Sequence, residues 1–591
     1  MCGIAGIVGR HAAGAVPVVE RMVARMRTRG PDHAATRDAG GAVLGHARLS
    51  ILDLNPRSHQ PMSDPSGRFT ITYNGEVYNF QDIARDLETA GHRLRTTSDT
   101  EVVLRAFMEW GTAAFARFNG MFALGIWDRA ERTLVLARDR FGKKPLYYST
   151  SDGVAFASDL AALREDPAAA AAPVSVEAVN HFLAMGYVLG PLTLYEGIAR
   201  IPPATVAVFR DGHARMERFW DYGAAFRRPY RGSPADAAAD VRDALEQAVR
   251  RRLISDVPVG CFLSGGVDSS AVTAFARRHL AYDVHSFCIG FAARTYDESA
   301  DARAVADFLG TVHHERRLGD SDGRDIVDRA IACFDQPFSD TSLVPMVEVA
   351  RVAAEHVKVV LSGDGADELL AGYPTHKADR VMQVARHVPA TLRRAAAGAA
   401  RRLLRESNRR TDVAFKLRQL ARGLPGDWRD AHYAWRELHD DDERVALLGK
   451  EHEALVRDTT PRRTFRAHFD EVRDLDPLAQ CLYVDAKTWL VDDILVKVDR
   501  ATMAFSLEAR SPFLDPDLVE LVASLPSSLK LRGLDGKHVL KRALRGVLPD
   551  RTLHKRKAGF NAPLNTWLGQ RGENEFRLFN RMVAATWGLL P

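Results

Sequence analysis

Cysteine is scarce in this chain: Cys2, Cys261, Cys288, Cys333 and Cys481 are the five in 591 residues. They lie far apart, form no C-x-x-C pair and are odd in number, which excludes a disulfide framework and a ribbon-type zinc site and fits a reducing cytoplasm. No run of about 18 apolar residues occurs, so no membrane span is expected. The first residues lack a basic segment followed by an apolar stretch and a cleavage site, so no secretory leader is expected. There is no G-x-x-x-x-G-K-[ST], which excludes a Walker phosphate loop, and there is no internal repeat. Charge of one sign is also lacking: Lys+Arg 81 against Asp+Glu 76 leaves +5. Spread over this length, that argues for neither nucleic acid nor a membrane surface as partner.

What is present is ordinary globular material, 46% hydrophobic and 27% charged, in a chain long enough for about two to four domains. The opening run Cys2-Gly3-Ile4-Ala5-Gly6-Ile7-Val8-Gly9 is less ordinary. Removal of Met1 would give Cys2 both a thiol, with a pKa of about 8.5, and an α-amine, with a pKa of about 7.7–8.0. Near neutrality a useful fraction of that amine is a free base able to take the thiol proton, so the residue could be a self-sufficient nucleophile. A cysteine with no role beside the start codon is the alternative that Cys2 alone leaves open.

Two rhythms divide the chain. Up to about residue 220 short β-like runs (41–46, 69–73, 121–127, 133–137) alternate with helical patterns at 81–90 and 100–110. The Pro- and Ala-rich piece Pro167–Pro173 is expected to be a surface loop, and residues 227–234 have linker composition. The expected domains are therefore 2–226 and 235–591. Beyond the linker, Val241, Leu245, Val249 and Leu253 mark one helical face, and buried-strand runs at 257–263, 284–289 and 357–361 alternate with helices. That alternation predicts a parallel sheet covered on both faces. The basic stretch Arg393–Arg422 is read as a solvated helical face, and the chain after about residue 480 as mostly helical.

Two of these strands end in small polar loops, Ser264-Gly265-Gly266-Val267-Asp268-Ser269-Ser270 and Ser362-Gly363-Asp364-Gly365-Ala366-Asp367-Glu368. Loops at the carboxyl ends of parallel strands bind ligands. Glycines let backbone N–H groups approach an anion, and serine hydroxyls add donors. Asp268 and Asp367 beside phosphates make sense with a hard cation such as Mg²⁺ between them. Two ordinary βα turns rich in capping residues are the weaker alternative.

Taken in order, the motifs resemble the glutamine-hydrolysing asparagine synthetase family over nearly the whole chain. Besides those above they are Arg29-Gly30-Pro31-Asp32, His46–Ile51, Tyr73–Asn79, Ser98–Glu101, Asp492–Arg500, Arg510–Asp515, Gly536-Lys537-His538 and Lys557–Phe560. The resemblance implies a four-layer αββα N-terminal-nucleophile glutaminase domain joined to an adenine-nucleotide α-hydrolase-like synthetase domain. It implies that Cys2 attacks glutamine, that Asn74 and the Gly75 N–H hold the oxyanion, and that Arg48, Glu76 and Asp99 grip the substrate's α-carboxylate and α-amine. It implies nucleotide contacts at Leu263, Ser264, Gly265, Gly266, Asp268, Ser269, Ser270, Ile289, Ser362 and Gly363, Mg²⁺ on Asp268 and Asp367, and Lys537 at the reacting centre. The implied substrates are glutamine, ATP and aspartate or another carboxylic acid, with a homodimer left open. Departures from the family pattern, Leu370-Ala371, Gln336 and Asn561, are expected near the acceptor carboxylate.

Overall fold

The computed structural model describes residues 2–9, 12, 14–319, 323–385, 387–403, 413–555, 559–569 and 574–590. The first half holds two six-stranded antiparallel sheets. Strands β1 (Gly3–Val8), β2 (His33–Asp38), β3 (Ala42–Arg48), β4 (Met62–Ser63), β5 (Phe69–Val77), β6 (Gly120–Asp128), β7 (Thr133–Arg138), β8 (Tyr147–Ser149), β9 (Val154–Ala157), β10 (Ile198–Arg200), β11 (Thr205–Arg210) and β12 (His213–Arg218) are ordered β10-β8-β9-β1-β3-β2 and β12-β11-β7-β6-β5-β4. Alternation along β1 explains the layering. Ile4 and Val8 face the second sheet, meeting Ala123, Trp127 and Leu136, whereas Ala5 and Ile7 pack under Val19, Met22 and Val23 of the helix Val16–Arg25. The outer face of the second sheet is covered by the helices Phe80–Thr89 and Asp99–Trp110. The expected αββα arrangement is present.

The second half is built on a parallel sheet of β13 (Val259–Phe262), β14 (His285–Phe291), β15 (Val312–Leu318), β16 (Val359–Leu361) and β17 (Glu508–Arg510), ordered β15-β14-β13-β16-β17. The order runs outward one way from β13 and the other way from β16. The topological switch point therefore falls between these two strands, where sheets of this kind open a ligand crevice. The two polar loops follow β13 and β16.

Most expected elements occur where the periodicity put them, with shifted ends. β13 starts at Val259 because Pro258 has no N–H for the ladder. The expected loop 167–173 is in part a short helix, Pro167–Ala170, with Pro at its first turn and the Asp166 carboxylate accepting from the Ala169 N–H at 3.2 Å. Residues 227–233 separate the helix Tyr222–Phe226 from the helix Pro234–Arg251, which begins with a capping box of Ser233 and Asp236. The basic stretch lies on the helices Ala390–Leu403 and Val413–Gly423, with 404–412 outside the described residues.

Candidate active sites

In the first half, Cys2 stands just before β1, beside β3, which ends at Arg48. The Cys2 backbone nitrogen donates to Asn74 Oδ1 at 3.0 Å, and its carbonyl accepts from Arg29 Nε at 3.2 Å. Asn74, Gly75 and Glu76 lie on β5. Asn74 is fully buried and its Nδ2 has no hydrogen-bond partner among the described residues. A buried donor left unmatched costs roughly 1–3 kcal/mol, so its persistence here marks a place made for an acceptor. Phe122, directly opposite Gly75, commits its N–H and its C=O to Asp139, leaving the Gly75 N–H unused by β6. Gly75 must be glycine, because a Cβ there would stand 2.1 Å from the Met121 carbonyl oxygen.

Arg48 is buried, and its guanidinium donates to the carbonyls of Leu52, Asp53 and Asn55. This fixes its orientation beside Cys2. Asp99 begins the helix Asp99–Trp110 and accepts from Tyr73 Oη at 2.7 Å and the Val77 N–H at 3.1 Å. Burial pushes its carboxyl up to about 6, and burial with Asp99 nearby raises that of Glu76 well above the usual range. Two buried acids this close are suited to an ammonium guest. Burial also raises the Cys2 thiol, so a base is required to generate the thiolate.

In the second half, the loop after β13 turns through Gly265 at φ +68, where a Cβ would meet the Asp301 carbonyl carbon at 2.6 Å. Ser269 Oγ accepts from the Ser264 N–H at 3.1 Å, and Ser270 Oγ is buried without a partner among the described residues. The loop after β16 packs directly against it: a Cβ on Gly363 would stand 2.9 Å from Asp268 Cβ. The Ser362 N–H donates to the Arg510 carbonyl. The side chains of Leu263 and Ile289 are buried in the core, which leaves only their main-chain groups for a ligand in the crevice.

Asp268 and Asp367 come together around one cation. Lys537 Nζ lies 2.5 Å from Asp268 Oδ2 and 2.6 Å from Asp367 Oδ1. Lys537 adopts a left-handed φ of 56 and donates its N–H to Leu370 O at 2.9 Å. Gly372 leaves the space: a Cβ there would fall 1.8 Å from Asp367 Oδ1 and 2.3 Å from Lys537 Cε. The pair of carboxylates that the sequence marks for a metal thus demands positive charge. A hard-oxygen donor set of this kind fits Mg²⁺ shared with phosphate oxygens.

Several neighbours have no role assigned from the sequence, although Tyr73 and Glu368 lie within its motifs. Tyr73 supports Asp99. Lys555 reaches the phosphate-type loop, donating to Ser264 O at 3.3 Å. Glu368, pushed up to about 7 by burial and then by Asp367, accepts from Tyr373 Oη at 2.6 Å, which in turn accepts from Trp489 Nε1. Only their place in or beside a motif could have drawn attention to them. Of the departures, Leu370-Ala371 adjoin Lys537 through the main chain, and Ala371 holds the strained φ of 57. Asn561 Oδ1 accepts from Thr341 Oγ1 at 2.6 Å. Asp335, the neighbour of Gln336, accepts from the Leu160 N–H and pairs with Arg500, which sets that departure beside the junction between the halves. Lys557 lies outside the described residues.

Comparison with known proteins agrees with this geometry. Residues 240–582 match the family model described as asparagine synthase, and residues 1–220 that of a glutamine amidotransferase domain. A putative glutamine-hydrolysing asparagine synthetase of Mycobacterium bovis is 33% identical, covering 96% of this chain and 88% of the relative. Asparagine synthetase (glutamine-hydrolysing) 1 of Bacillus subtilis is 31% identical with the same coverages, 96% and 88%. A protein of Gibberella zeae named amidase chry2 is 26% identical over 96% of this chain and 90% of its own length.

Proposed function

We propose the following reaction for this chain, which belongs to the glutamine-hydrolysing asparagine synthetase family. It is an ATP-dependent carbon–nitrogen ligase that takes nitrogen from glutamine and makes asparagine from aspartate. The observation that supports this is the coexistence of two clusters of motif residues: Cys2 held on Asn74, and Asp268 and Asp367 gathered by Lys537 at the switch point.

In the first site the Cys2 thiolate attacks the glutamine amide carbon. The oxyanion takes the unmatched Asn74 Nδ2 and the Gly75 N–H, Arg48 faces the substrate carboxylate, and Glu76 with Asp99 receives its ammonium. Collapse releases ammonia and leaves a thioester, which water cleaves to glutamate. In the second site the pyrophosphate of ATP rests on the Ser264–Ser270 loop, with Ser362 and Gly363 toward the nucleotide. The acceptor carboxylate attacks the α-phosphorus, giving an acyl-adenylate and pyrophosphate, and ammonia displaces AMP. Mg²⁺ held by Asp268 and Asp367 would neutralise phosphate charge. Lys537, already between these acids, is placed to follow the negative charge as pyrophosphate forms. Domains 2–226 and 235–591, divided at the linker composition of 227–234, and a cytoplasmic setting, argued from the scattered cysteines, belong to the same reading, with a homodimer left open.

Amidation of another carboxylic acid is the second reading, favoured by Leu370-Ala371 beside Lys537 and by the likeness to a fungal protein named as an amidase. Pyrophosphate release with ATP, glutamine and a panel of acids decides between them. Aspartate is expected to exceed glutamate and simple aliphatic acids. No release above background with aspartate, from enzyme that hydrolyses glutamine and binds ATP, would overturn asparagine synthesis and keep the amidotransferase.

A further inference from the structure

Three imidazoles meet at the end of the parallel sheet away from the nucleotide loops. His285 is the first residue of β14 and His314 the third of β15. The strands are parallel with Phe287 opposite His314, so His285, Phe287 and His314 share one sheet face. His356 follows the helix Leu343–Ala354, held by its N–H on the Ala353 carbonyl. Its ring stacks on that of His314 with centroids 3.9 Å apart. His285 Nδ1 and His314 Nε2 are 2.9 Å apart, and one nitrogen from each of the three rings lies within 4.8 Å of the others. His285 and His314 are half-buried and His356 is exposed, so an ion could enter from solvent. Ile289, the nucleotide-side residue of β14, is four residues further along, or about 13 Å at the rise of a strand.

From this geometry we propose that His285, His314 and His356 form a binding site for one divalent transition-metal ion of the zinc class, separate from both reaction centres. Neutral imidazoles suit zinc, nickel and copper rather than Mg²⁺. Three nitrogens about 2.1 Å from an ion stand roughly 3.4 Å from one another; a shared ion would replace the His285–His314 hydrogen bond and turn the exposed His356 ring out of its stack on His314, leaving a fourth position to water. The alternative ligand cluster, Asp379, His432 and Cys481, is already satisfied: His432 bonds Asp379 through Nδ1 at 2.9 Å and Asp485 through Nε2 at 3.1 Å.

The test is titration of the metal-free full-length protein with Co²⁺, read by its visible spectrum, followed by displacement with Zn²⁺. One Co²⁺ per chain is expected, with ligand-field bands and no thiolate charge-transfer band. His356→Ala and His314→Phe, the latter keeping the ring stack, should each weaken binding by about tenfold or more with melting and amide synthesis unchanged. No binding by the parent, binding by either variant as tight as the parent's, or a thiolate band would overturn the proposal. If His314→Phe fails to fold, the exposed His356→Ala decides alone.

Discussion

Asn74→Ala separates what an oxyanion donor does for catalysis from what a buried residue does for folding. Asn74 accepts one hydrogen bond, from the Cys2 nitrogen at 3.0 Å, while its Nδ2 donates none among the described residues. Truncation gives up the bond, worth about 1 kcal/mol, and a few packing atoms, but removes a stranded buried donor that costs roughly 1–3 kcal/mol. The opposing contributions nearly cancel, so stability should change by no more than about 1 kcal/mol. Catalysis has no such compensation. Losing one of two oxyanion donors lowers turnover about 10²–10³-fold, or roughly 2.7–4 kcal/mol. The assay is glutamate release from glutamine, with ammonia-dependent pyrophosphate release and thermal melting measured on the same preparation. Glutamine hydrolysis should collapse while the other two hold. Hydrolysis within about threefold of the parent would refute the oxyanion assignment, as would an equal fall in ammonia-dependent synthesis.

Three further outcomes follow from the same geometry. Cys2→Ala should abolish glutamine-dependent product and leave ammonia-dependent synthesis intact; equal loss of both would sink the division into two sites. Asp268→Asn and Asp367→Asn should each end pyrophosphate exchange into ATP while glutamine hydrolysis persists, since each weakens the cation-demanding pair around Lys537; a normal exchange rate in either would disprove their role. Because Asp99 is raised to about 6 and an ammonium guest binds only its charged form, the KM for glutamine should be lowest above that pH and climb as pH falls through it. Asp99→Asn should raise KM and flatten the profile between pH 5 and about 7.5, and a parent enzyme with constant KM over this range would contradict the assignment.

Period and punctuation made much of the architecture legible. The apolar runs at 69–73 and 121–127 became β5 and β6, and the two glycine-bearing loops fell at the switch point. β15 escaped notice because Val312–Leu318 reads VHHERRL, a polar edge strand whose exposed positions erase the hydrophobic signal. β17 was missed because three residues carry no period. The expected loop at 167–173 hid a capped helical turn, since Pro is as welcome at a first helical position as in a loop. Within the sites, motif residues could be named and Asp268 paired with Asp367, but the side chain that stands between those two acids could not be read. Nothing in the order of residues says that Lys537 lies between Asp268 and Asp367, because 169 or more positions separate it from either. Long-range charge pairing becomes visible only once the chain is folded.

The junction between the halves makes the same point at larger scale, because motif residues of one half complete the site of the other. Arg29, which holds the Cys2 carbonyl, pairs with Asp499 at 2.9 Å and with Asp159 at 3.3 Å. Asp159 also pairs with Arg500, which reaches Asp335, while Lys144 stands 3.9 Å from Asp499. Three cations and three carboxylates thus share one buried seam. Nearby, Arg510 lies between Glu508 at 2.7 Å and Glu76 at 3.7 Å. Buried charges are costly to bring out of water and costlier to leave alone, with the loss of one partner worth about 3–5 kcal/mol. Such a seam is a poor source of stability but a strict gauge of alignment: sliding one half against the other would strand several charges at once. An apolar seam of equal area would tolerate the slide. Since Arg29 bonds both Asp499 and the main chain of Cys2, and Arg510 bonds Glu508 while standing 3.7 Å from Glu76, the docking of the halves and the placing of Cys2 are linked. The proposed glutamine site therefore takes support from residues of the second half as well as from its own sheets.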